Sequence, residues 1–152
     1  MSAISMTKVN FTNGSGEPIN DTNLNAIQTN TETAINEVQT NLDNATTITT
    51  GTATMNTTYT TDVEYNHWEK VGQVVSYSFT FRVNGTWNNT TIFATGLPNP
   101  KSATRFLGVN SSGNVPFRCM LSTTGTLSNA YSQTTPTNNQ VVEGHITYIT
   151  TD

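Results

Sequence analysis

The chain has 152 residues, a mass of 16.5 kDa, a formal net charge of −4 and a pI near 4.9. That is enough for one ordinary domain plus an extension, and it lacks the basic footprint needed to neutralise nucleic-acid phosphates or to sit on an anionic membrane. Charged residues make up only 11% of the chain, while Thr and Asn together supply about a third, a hydroxyl-rich and amide-rich composition that suits strands and turns and is unlike a cytosolic housekeeping enzyme.

Residues 1–20 place Val9, Phe11 and Ile19 around Asn13-Gly14-Ser15-Gly16-Glu17-Pro18, which predicts a bent, extended N-terminal arm. The opening lacks the apolar core of a signal peptide and no apolar run approaches the length of a membrane span, so synthesis in a cytoplasm without membrane insertion is expected. Asn20 or Asp21 can cap a helix over residues 21–45. In it Leu24, Gln28, Thr31, Ile35, Val38, Leu42 and Ala45 follow an unbroken 4-3 spacing, the seam of a coiled coil. Leu24, Ile35, Val38 and Leu42 supply the apolar grip, and the β-branched pair Ile35 and Val38 favours three strands over two. Ile27 and Ala34 widen the stripe, which leaves open a helix packed on its own domain.

Residues 46–58 are dominated by Thr, eight of the thirteen, with Gly51 breaking them, and predict a neck or a linker. From residue 59 to 152 the period becomes 2. In Gln73–Val83 the residues Val75, Tyr77, Phe79, Phe81 and Val83 share one face. Further strands are expected at 62–71, 90–96, 104–110, 115–122, 125–131 and 140–150, bounded by Gly72, Leu97-Pro98-Asn99-Pro100, Gly113 and Pro136. The fold class is therefore mainly β with an N-terminal helix, ending in a small jelly-roll-like β-sandwich head. Phe79, Phe81, Phe106 and Phe117 belong to its core, and Cys119, alternating with Phe117 and Leu121, is expected to be a buried thiol.

Two stretches resemble the small trimeric receptor-binding or tail-fibre proteins of tailed bacteriophages. One runs from Phe11-Thr12-Asn13-Gly14 through Pro18-Ile19-Asn20-Asp21-Thr22-Asn23-Leu24-Asn25-Ala26-Ile27, and the other is Trp68-Glu69-Lys70-Val71-Gly72-Gln73-Val74-Val75. The resemblance in organisation covers most of the chain. It implies a homotrimer on the phage particle, made in the bacterial host cytoplasm. Its arm would meet baseplate, tail or capsid proteins, and its head would bind host cell-wall saccharide. A capsid-decorating or head fibre without a defined receptor is the alternative. No ligand residue carries over by motif, because the binding loops of such heads vary freely.

Saccharide binding needs aromatic faces with amides, hydroxyls and a few charges around them. Trp87, flanked by Asn88 and Asn89 in a polar loop, is the leading candidate for that role, with core packing as the competing account; Tyr131, Arg105, His67 and Asp62 follow, and Trp68 beside them. No cofactor is expected. His67 and His145 are far apart in sequence and no cluster shows metal-ligand spacing, although Asp62, Glu64, Glu69 and His67 lie close enough to converge on a cation across an oligomer axis. The carboxylates are too few for glycoside hydrolysis and no nucleophile signature is present, so the chain reads as non-enzymatic.

Overall fold

The computed structural model describes residues 21–110, 115–130 and 135–151. The N-terminal arm lies outside the described residues. Two compact units divide at Thr47.

Among the described residues the first unit holds a helix, α1 (Asp21–Thr46). Several of its threonines return their hydroxyls to the carbonyl four residues back, as Thr31 does to Ile27 at 2.8 Å and Thr40 to Asn36 at 2.9 Å, a local bond that hydroxyl side chains make within a helix. Along the predicted seam Leu24 and Ile35 are half-buried, whereas Val38 is 67% and Leu42 51% exposed.

The second unit is one antiparallel sheet of nine strands: β1 (Ile48–Gly51), β2 (Thr54–Met55), β3 (Thr60–Val71), β4 (Val74–Val83), β5 (Ile92–Thr95), β6 (Thr104–Asn110), β7 (Val115–Leu121), β8 (Leu127–Asn129) and β9 (Val141–Ile149). Their order is β1-β3-β4-β9-β6-β7-β8-β5-β2. Two expectations change here. The strands form a single continuous ladder, a curled half-barrel, where two packed sheets of a jelly-roll sandwich were expected. Residues 48–51 and 54–55, expected in a separate neck, are the two edge strands of that ladder. Laid flat, nine strands would separate those edges by about 38 Å, yet only Thr52 and Ala53 join them, a span of at most about 11 Å. The sheet has to curl until its edges meet.

Side chains hold that closure. Asn66 of β3 receives Ala53 N–H on its Oδ1 at 3.1 Å and donates Nδ2 to Ala53 O at 2.8 Å, and the Tyr77 hydroxyl donates to the same Oδ1 at 3.0 Å. The alternation of β4 puts Val75, Tyr77, Phe79, Phe81 and Val83 inside the curl, where they meet Phe93, Phe117, Cys119, Leu121, Leu127, Val142, Ile146 and Tyr148. One interior row crosses four strands as Phe79, Gly144, Gly108 and Phe117. A Cβ on either glycine would run into the neighbouring ring, so the two glycines make room for the two phenylalanines.

Candidate functional site

Trp87 does not project from its loop. It is 5% exposed, its ring is stacked on Phe93 with centroids 5.1 Å apart, and its Nε1 donates to Tyr59 O at 3.0 Å. The apolar ring finds its burial in the end of the curl and its polar edge finds a backbone acceptor there, which leaves no face for a sugar. Asn88 is also committed to structure: its Oδ1 accepts from Thr90 N at 2.8 Å, an Asx turn, and its backbone O accepts from Asn129 Nδ2 at 2.8 Å. Asn89 stays exposed beside it. Tyr131 lies outside the described residues. Arg105 is exposed on β6, on the face opposite the core-packed Phe106. Asp62 sits in a β-bulge at φ 44° and receives Arg82 Nε at 3.0 Å, while Arg82 Nη1 donates to Asn139 O at 2.8 Å. Asp62 therefore anchors the bulge to the turn before β9.

His67 lies in a polar surface, the outer face of β3, β4 and β9. Register sets His67 opposite Ser78 and Ser78 opposite His145, with Tyr65, Thr80 and Glu143 as the next row and Glu69, Ser76 and Thr147 as the row on the other side. The two imidazoles are carried on strands about 10 Å apart, separated by a serine. His145 Nδ1 is 2.8 Å from Ser78 Oγ and its Nε2 is 3.4 Å from Thr147 Oγ1; His67 Nε2 is 3.5 Å from Glu69 Oε1, and its ring meets Tyr65 edge-on at 6.2 Å. Histidines far apart in sequence are thus brought to one serine by strand register. Alternation within each strand marks these residues as outward-facing; the pairing of β4 with β9 is what unites them.

In the Ser78–His145 contact the far nitrogen of His145 faces the Thr147 hydroxyl, and the backbone around Ser78 pairs along the ladder with β3 and β9. Among the described residues no group of three or more His, Cys, Asp or Glu is placed to hold a metal ion. What the face offers is a shallow array of hydroxyls, imidazoles and carboxylates edged by a half-exposed phenol.

No protein-family model matches the chain, and no curated protein matches it. Among solved structures it is similar to the receptor binding protein (gp15) of Listeria phage PSA. That similarity has a TM-score of 0.51 and 16% identity, and spans 86% of this chain and 85% of the other. The likeness is one of fold. It extends over a mainly β chain with one helix ahead of a curled sheet. No helix among the described residues is long and apolar enough to cross a membrane.

Proposed function

We propose that the chain is a receptor-binding protein on the particle of a tailed bacteriophage, whose β head recognises saccharide on the host surface. The observation that carries this reading is the shared fold with a phage receptor-binding protein over most of both chains. The outer face of β3, β4 and β9 supports it further, since Tyr65, His67, Ser78 and His145 combine an aromatic edge with donors and acceptors suited to ring hydroxyls. Arg105 and Asn89 are exposed and available to the same chemistry. Trp87 and Asn88 support the scaffold instead.

In this reading three chains associate through α1. Val38 and Leu42 leave an apolar stripe exposed on a single helix, and three copies at heptad spacing would cover it. The arm, residues 1–20, would bind tail, baseplate or capsid proteins, and no reaction is catalysed. Three shallow sites on one particle would reach useful avidity even if each bound weakly.

The test is a pull-down of the purified full-length protein on host cell walls. Saturable binding, lost when wall polysaccharide is stripped and weakened by Tyr65→Ala and His67→Ala, is expected. A well-folded protein that ignores the walls would instead be a structural decorating fibre.

A further inference from the structure

At one end of the curl the interior face does not close. Thr49 of β1 pairs with Lys70 of β3, Lys70 with Val75 of β4, and Val75 with Tyr148 of β9, so these four share a row on the inner side. Val75 and Tyr148 are core, while Lys70 is half-buried and Thr49 exposed. The adjoining row runs Gly51, Trp68, Tyr77 and Ile146. Between the β1–β3 edge and the segment Gly96–Asn99 lies a cavity of about 380 Å³, lined by Thr49, Trp68, Lys70 and that segment. This is the size range of small-ligand sites.

The far wall is held in place. Leu97 N donates to Gly125 O at 3.2 Å, the Tyr148 hydroxyl to Pro98 O at 2.9 Å, and Thr151 N to Asn99 O at 3.2 Å. On the near wall Gly51 of β1 pairs with Trp68 of β3 and the indole lies over its backbone, where any side chain would strike the ring. The cleft is therefore built before a ligand arrives. Its lining joins an aromatic ring, a hydroxyl, a carboxamide and, as the one charged group among the described lining residues, the Lys70 ammonium. An indole suits the C–H face of a pyranose and the polar groups suit its hydroxyls, while the Lys70 ammonium in the lining suits an anionic substituent.

We propose that this cleft binds a saccharide unit carrying an acidic group, a phosphate ester or a carboxylate, with Trp68 beneath the ring and Lys70 on the acid. The proposal rests on the saccharide-binding reading above and adds a concave, charge-selective site to the flat outer face.

The experiment is an NMR titration of the full chain, followed at the indole N–H of Trp68, with glucose 6-phosphate, glucuronate, glucose and inorganic phosphate as probes. Glucose 6-phosphate is expected to shift that resonance and to bind about tenfold tighter than glucose, the increment of one charge-assisted hydrogen bond. Glucuronate tighter than glucose 6-phosphate would assign the acid as a carboxylate, still within the proposal. Inorganic phosphate should bind more weakly than the sugar phosphate, since it makes no ring contact. Lys70→Gln should reduce the phosphorylated sugar to the level of glucose, and Asn99→Tyr, at an exposed position in the mouth, should abolish both. No shift with any sugar, or equal binding of glucose and glucose 6-phosphate, would overturn the proposal. Cell-wall binding separates the two readings: walls bound fully by Asn99→Tyr would remove this cleft and leave the outer face, whereas walls ignored by the wild type would remove the receptor reading while the titration still decides the cleft.

Discussion

The indole of Trp87 and the ring of Phe93 lie nearly parallel, with 10° between their planes, and Phe81 meets the same indole at 5.9 Å. Trp87→Ala should therefore cost about 3–5 kcal/mol, as a large aromatic deleted from a packed core does. Thermal melting should show the loss, and wall binding per folded molecule should not change. A variant that melts like the wild type would mean the loop carries Trp87 outside the core.

Gly144→Ala sets a methyl group against the Phe79 ring, and Gly108→Ala does the same to Phe117. Each is expected to destabilise by about 1–3 kcal/mol, the scale of overpacking. Because the rings are the obstacle, Phe79→Leu combined with Gly144→Ala should lose less than the sum of the two single changes. Urea midpoints of the four proteins in the cycle decide this.

Burial pushes the Cys119 thiol far above its usual range, and burial, followed by the nearness of Cys119, does the same for the Tyr77 hydroxyl. Both groups ionise more readily in the unfolded chain, so the unfolded state binds fewer protons at alkaline pH. The contribution to stability is complete below about pH 8.5, falls above it by about 1.4 kcal/mol per pH unit, and falls faster once tyrosine ionises near pH 10. Cys119→Ala should flatten the slope between those two values. Denaturant midpoints from pH 7.5 to 10.5 test it, and thiol labelling of the native wild type should proceed only as fast as the head opens.

Ile35→Asp places a carboxylate on the α1 seam, next to its own copies if three helices meet there, with no cation to pair it. The wild type should scatter light as a trimer at micromolar concentration and the variant as smaller species. A monomeric wild type would remove the trimer.

Asn66 makes three hydrogen bonds with one side chain, and Asn66→Leu would leave Ala53 N–H and O and the Tyr77 hydroxyl without it. A loss of about 2–4 kcal/mol is expected. Amide exchange should accelerate first in β1 and β2, the edges that this residue ties together.

Much of the fold was legible because strand periodicity is local. β4, β6, β7 and β9 fall within a residue or so of their predicted spans, and the alternation of Phe117, Cys119 and Leu121 places the thiol inside. Pairing is not local, and neither the central place of β9 nor the use of 48–55 as edges is written in any single segment. The candidate site suffered most from this. Trp87 looked like a surface aromatic because its neighbours are polar, yet those neighbours spend their polarity on one another in an Asx turn while the ring goes inward. His145 gave no signal until register set it across from Ser78.

The last strand of the sheet in sequence is a middle one in space: β9 sits between β4 and β6, and Val74 is bonded across to Ile149. A ribosome making this chain therefore delivers β3 through β8 before the strand that joins their two halves exists. Until residue 149 emerges, β4 presents an open edge with Val75, Tyr77 and Phe79 beside it, and β6 presents another. The nascent head is a candidate for chaperone holding and for aggregation at high expression, and it can close only once residues 141–149 are free to pair with both halves.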